Sequence, residues 1–161
     1  MGLSFLMVKP DSYIRCIADA VIADIMASCQ QYQLKIIGQW TKRLTREEVL
    51  KVYPTIQKKS FFDEFLELMM SHYSTLILVD GADAIHKTKM IRGNCRHSDS
   101  EPMDGVRGKY SLIEDISQDD WDKLIKKCHP DAERLISIII GGVVHAPDGE
   151  QEVYSTLAVF N

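Results

Sequence analysis

The stretch LSFLMVKPD, residues 3–11, decides the fold. Residues 3–8 have the length and apolar content of a short buried strand, and Lys9-Pro10-Asp11 closes it with a turn. With Asp11 or Ser12 as N-cap, Ile14, Ile17, Val21, Ile25 and Cys29 then recur at helical spacing. LKIIGQW (34–40) is a second strand, and TREEVLKVY (45–53) a short helix with two acids in its first turn. Glu48 follows Thr45 by three residues, the spacing of a capping box. FFDEFLELMM (61–70) is another helix. TLILVD (75–80) is a third strand, followed by Gly81 and the helix ADAIHKTKMI, with Ile85, Thr88 and Lys89 on one face.

Residues 93–111 read as a long polar loop, and such loops in compact domains are usually functional. SQDDWDKLIKKC (117–128) is a capped helix and HPDAERL a further turn. ISIIIGGVV (136–144) is a fourth strand with His145 at its end. Four strands with helices between them predict one sheet covered by helices, whose ligands gather at strand ends.

At 161 residues, the chain is expected to form a single domain, 1–161, with a hydrophobic fraction of 45% that suits a soluble globular protein. No apolar run approaches a membrane span, and no basic leader is expected at the N-terminus. Cys16, Cys29, Cys95 and Cys128 show no close pairing, which suits a reducing, cytoplasmic setting. A net charge of −4 argues against general nucleic-acid binding. The segment from Lys87 to Lys109, however, carries six Lys or Arg against three acids, a host for a small anion. There is neither a P-loop nor a dinucleotide fingerprint. NCRHSD (94–99) with Cys128-His129 matches no standard zinc spacing.

FLMVKPDSYIR, VYPTIQKKSFF, EPMDGVRGKYS and VVHAPD occur in that order. Together they resemble the nucleoside diphosphate kinase family: its strand ending in Lys-Pro-Asp, its Pro-Gly-Thr-Ile-Arg-Gly segment and its Asn-x-x-His-Gly-Ser-Asp strand. The resemblance implies an α+β fold: a ferredoxin-like sandwich with a four-stranded antiparallel sheet (βαββαβ), helices covering it and a helical pair added between the second and third strands. It also implies an insertion at about 112–135.

For activity, the resemblance implies transfer of the γ-phosphoryl group from a nucleoside triphosphate to a nucleoside diphosphate, by ping-pong through a phosphohistidine at His145. Lys9 and Arg107 match phosphate-binding residues, and Lys89 stands where the family has an arginine. Tyr53 matches a tyrosine near the histidine. Phe61 matches the aromatic under the base, with Phe65 one turn on, where a core position is the plainer reading. Asp148 matches an aspartate linked through water to Mg²⁺. A homo-oligomer is implied, most often a hexamer.

The chain departs from the pattern at Ser12, Cys95, Gly142 and Ala146-Pro147. The glutamate that orients the imidazole is expected about eleven residues past it. Here that region reads VYSTLA, leaving Glu150 and Glu152 nearer in sequence. These departures define an alternative: a catalytically weakened relative acting as a nucleotide- or protein-binding module.

Overall fold

The structure is a computed structural model that describes residues 2–94, 104–111 and 142–161, together with residue 119. The helix expected at 117–128, the insertion at 112–135 and most of the zinc-like cluster lie outside the described residues.

The described strands are β1 (Gly2–Val8), β2 (Lys35–Arg43), β3 (Tyr73–Gly81) and β4 (Val144–His145). They form one sheet in the order β2-β3-β1-β4 with every pairing antiparallel. This is the expected α+β, ferredoxin-like arrangement. The chain adds α1 (Pro10–Ile14), α2 (Ala18–Gln31), α3 (Arg46–Val52), α4 (Phe62–Ser71), α5 (Ala84–Arg92), α6 (Gly105–Lys109) and α7 (Glu150–Phe160).

β1 is apolar nearly throughout because both of its faces are covered. Phe5 and Met7 point to one layer, with Val49 and Val52 of α3, Phe65 and Met69 of α4, and Val153 and Phe160 of α7. Leu6 and Val8 point to the other, with Val21, Ile25 and Cys29 of α2, Ile91 of α5 and Val106 of α6. Period-2 alternation in a central strand thus separates two cores. Ser4, fully buried on β1, meets the Thr88 hydroxyl of α5 at 2.7 Å, and Thr88 in turn donates to the Ile85 carbonyl at 3.0 Å. That pair ties α5 to the sheet without leaving a buried hydroxyl unmatched.

Several expectations change in detail. The helix expected to run on from Asp11 is broken: α1 ends at Ile14, Cys16 adopts φ 57, and α2 starts at Ala18. The left-handed residue turns the chain, so Ile14 is 55% exposed rather than in the core. Lys9, not Asp11 or Ser12, is the N-cap of α1. The Thr45–Glu48 capping box is present at the start of α3. The long polar loop contains α6. The fourth strand is only two residues long in its described part, because Gly142 and Val143 have φ 61 and φ 54 and leave the extended region. α7 carries no sequence pattern singled out above, yet it covers His145's side of the sheet.

Replacing Thr88 by Val leaves the Ser4 hydroxyl buried without its partner and should cost about 1–3 kcal/mol. Replacing both, as Ser4→Ala with Thr88→Val, should recover most of that loss. Urea midpoints of the two variants measure the difference.

Candidate active site

The carboxyl end of β1 and the short strand β4 bring the sequence motifs together. Met7 lies opposite His145 and Val8 opposite Val144. One residue earlier, Val143 is held on both sides: its N–H donates to Asp11 Oδ2 at 2.9 Å. Its carbonyl accepts from the Lys9 amide at 2.8 Å and from the Ser12 hydroxyl at 3.1 Å. The Lys-Pro-Asp-Ser run is therefore a clamp for the segment leading into His145. Pro10 at the first helical position of α1 presets the turn that makes the clamp.

His145 is mostly buried, with 12% of its side chain exposed. Its ring lies between Tyr53, with centroids 4.7 Å apart, and Phe5, at 5.7 Å. Nε2 is 2.5 Å from Glu152 Oε1. An ionised carboxylate only accepts, so Nε2 carries the proton and Nδ1 keeps its lone pair. Glu152 uses its other oxygen to accept the Asp148 N–H at 2.8 Å, which locks the carboxylate across the turn into α7. The imidazole therefore has its orienting carboxylate, correcting the expectation that this partner was missing. The shorter link from His145 to α7 brings Glu152, in the helix's first turn, to the position that the spacing of about eleven residues would otherwise reach.

Burial lowers the His145 pKa from its ordinary value, and the positive Arg107 and Lys9 push the same way. The Glu152 hydrogen bond and charge oppose them without reversing the shift. The His145 imidazole is thus neutral at pH 7.

Lys9 is buried, with Nζ 5.2 Å from the Phe65 ring centroid, and Phe65 meets the Tyr53 ring edge-on at 4.8 Å. Phe65 is a core residue that also floors the site. The Tyr53 hydroxyl is buried without a hydrogen-bond partner among the described residues, and desolvation drives its pKa far up, so it is a donor at any ordinary pH. Arg107 Nε donates to the Val144 carbonyl at 2.9 Å. Its element, α6, is anchored to α2, where Asp24 Oδ2 accepts from Lys109 at 2.7 Å and from Tyr110 at 2.5 Å. Lys89 pairs with Asp148 at 3.0 Å and, with help from Arg92, holds that carboxyl below its ordinary range.

A cavity of about 620 Å³ opens beside His145, lined among others by Lys51, Tyr53, Lys59, Asp148 and Glu152. That volume lies within the usual range for small-molecule sites. Of the expected residues, Tyr53, His145 and Asp148 line this cavity, whereas Lys9, Lys89 and Arg107 do not, and neither does Phe61, which caps α4 and packs partly buried against the core. Lys59 was not singled out for its place, whereas Glu152 was one of two nearby acids, with Glu150, offered for the orienting role. Lys59 had a signal, since it lies in VYPTIQKKSFF; Glu152 had only its nearness to His145. Cys95 lies outside the described residues.

Comparisons with known proteins bear on the fold and the family. The family described as "Nucleoside diphosphate kinase" matches residues 3–118 of the 161. A nucleoside diphosphate kinase of Sulfurisphaera tokodaii is 24% identical over 98% of this chain and 86% of its own length. That of Hyperthermus butylicus is 29% identical over 68% of this chain and 73% of its own. In fold, the chain is similar to a nucleoside diphosphate kinase from Encephalitozoon cuniculi, with TM-score 0.72, 18% identity and 99% and 88% of the two chains covered. It is also similar to a halophilic one from Halobacterium salinarum in complex with CDP, with TM-score 0.70, 22% identity and 99% and 87% covered. An antiparallel βαββαβ sheet with a histidine on its short edge strand and cations around it defines a phosphotransferase-like fold and site. The chain belongs to the nucleoside diphosphate kinase family.

Glu152→Gln weakens the two influences that raise the His145 pKa, so that pKa should fall further and the fixed tautomer should loosen. In the wild type, folding favours neutral His145. That contribution is present above the unfolded value near 6.5 and is lost as pH falls through the lower folded value. Imidazole ¹⁵N shifts followed between pH 4 and 8 should show a single Nε2–H tautomer in the wild type and a tautomer mixture in the variant.

Proposed function

We propose that this protein is a nucleoside diphosphate kinase whose phosphoryl carrier is His145. The observation that carries the reading is the tethered imidazole: Nε2 is held by Glu152, and Nδ1 has no hydrogen-bond partner among the described residues. The Nδ1 lone pair attacks the γ-phosphorus of a nucleoside triphosphate. The bond from that phosphorus to the β-phosphate oxygen breaks, and the nucleoside diphosphate leaves with the electron pair. A second diphosphate then attacks the phosphohistidine through a β-phosphate oxygen, and the lone pair returns to Nδ1. Throughout, the Nε2 proton stays on its hydrogen bond, so no separate base is needed.

The remaining residues position and neutralise phosphate, which is most of what phosphoryl transfer requires. Lys9, Arg107, Lys59 and Lys89 supply charge. Tyr53 supplies a phenol that is never ionised. In this reading, Phe61 stacks on the base from outside the His145 cavity, which tolerates any base because each has a π-face.

Mg²⁺ belongs to the same reading. No three His, Cys, Asp or Glu side chains converge among the described residues, so a cage built from protein alone is not offered. Mg²⁺ instead keeps waters and takes one or two carboxylates plus substrate phosphates, a donor set that Asp148, 76% exposed at the cavity rim, fits through water. When bound, the ion neutralises charge on the transferring phosphates.

Self-association also fits. β2 is a sheet edge, and Ile37 on it is 45% exposed, which favours covering by another copy, with a hexamer the expected assembly. No helix among the described residues is long and apolar enough to cross a membrane. The free thiols of Cys16 and Cys29 suit the cytoplasm.

Incubated with Mg-ATP, the wild type should gain one acid-labile phosphate by intact mass and lose it on addition of GDP. His145→Ala should gain none while still binding ADP. A wild type that binds ATP but takes up no phosphate would instead identify a nucleotide-binding relative that has lost the chemistry. Asp11→Ala, which frees the Val143 N–H and lets His145 drift, should lower kcat on the order of 10²-fold with a smaller change in KM.

A further inference from the structure

Arg92 ends α5 three residues after Lys89, so the two cations lie along one face of the helix. With His86, Asn94 and Asp104 they line a second cavity of about 250 Å³, whose Lys89 wall reaches Asp148. Cations in the last turn of a helix ordinarily offset its dipole. Two observations point to more than that.

Arg92 Nε is buried and has no hydrogen-bond partner among the described residues. A guanidinium nitrogen withdrawn from water without an acceptor is costly unless an anion arrives to meet it. In addition, Arg92 shares the cavity wall with Lys89, whose Nζ is 3.0 Å from Asp148 Oδ1 at the edge of the His145 site, and its charge helps to lower the Asp148 pKa. The carboxylate across this cavity, Asp104, is engaged by its own chain, with Oδ1 accepting the Asn94 N–H at 3.0 Å. The volume is below the usual range for whole ligands and suits a phosphate group. Lys89 is already engaged by Asp148, whereas Arg92 has no ion-pair partner among the described residues.

On the kinase reading, we infer that Arg92 binds the phosphate tail of the nucleotide, forming with Lys89 a two-cation clamp along α5. The pairing answers a specific shortage. A lysine offers a point charge, while an arginine offers a planar fork that can grip two phosphate oxygens. Arg92 restores that fork one turn along the same helix.

The test compares the wild type with Arg92→Met, which keeps most of the stem, with Arg92→Lys, which keeps the charge, and with Lys35→Met, an equal charge loss at the far end of β2. Equilibrium dialysis gives Kd for Mg-ADP, intact mass gives phosphohistidine formed from Mg-ATP, and steady-state assays give KM and kcat. Arg92→Met should weaken ADP binding roughly tenfold to a hundredfold. The loss should appear mainly in KM, Arg92→Lys should recover part of it, and Lys35→Met should stay at the wild-type value. An Arg92→Met Kd and KM within about twofold of wild type overturns the inference. So does a loss that Arg92→Lys does not lessen at all, because that outcome marks a packing role. A wild type without phosphohistidine whose ADP affinity still depends on Arg92 overturns the kinase reading alone and leaves the clamp standing.

Discussion

Val143 joins the two ends of the chain: its N–H is held by Asp11 Oδ2, and its carbonyl by the Lys9 amide and the Ser12 hydroxyl. A β-branched residue at φ 54 is an uncommon and strained conformation, of order 1–3 kcal/mol, that persists only where the surroundings over-determine it. Here they do. The left-handed pair at Gly142 and Val143 turns the next two residues, Val144 and His145, into register with β1. The Val144 carbonyl is then available to Arg107 Nε, and the His145 ring drops between Phe5 and Tyr53. Without that clamp, the imidazole, the β1 lysine and the α6 arginine would have no common reference point.

The second constraint is electrostatic. Lys9 and Arg107 near a mostly buried imidazole make a protonated histidine unfavourable, and desolvation adds to the effect. Glu152 pulls the other way, but its chief contribution is geometric: it fixes which nitrogen bears the proton. A neutral ring with a defined lone pair near two cations suits an anionic electrophile, because the charges that disfavour imidazolium are the ones that attract phosphate. Desolvation is also what keeps the buried Tyr53 hydroxyl a phenol, against the opposite pull of Arg107.

Much of the fold was legible from residues 3–8 onward. A strand that is apolar at nearly every position needs cover on both faces, and the intervening helical patterns supplied two sets of helices to provide it. The Thr45–Glu48 box marked a helix start correctly because capping is a local interaction, complete within four residues. The break at Cys16 was not legible, since the apolar spacing of Ile14, Ile17 and Val21 runs through it unchanged. Only the docking of Asp11 and Ser12 onto Val143 requires the chain to turn there. Of the strand expected at 136–144, residues 142–144 are described: hydrogen bonds from the other end of the chain hold left-handed backbone at 142 and 143, and Val144 is in β4.

By itself, the sequence determined the order of elements and the two-layered core and singled out His145, because periodicity and motif order are properties of the chain. The tertiary structure decided which partners that group has. Glu152 could be assigned to His145 only once the length of the turn into α7 was known, and Arg92 could be separated from an ordinary helix-end cation only by its buried, unpartnered Nε. Lys89 turned out to be engaged with Asp148, and Phe61 stands apart from the cavity. Such pairings depend on distances of a few ångströms between residues far apart in sequence. Those distances are set by how the helices pack against the sheet.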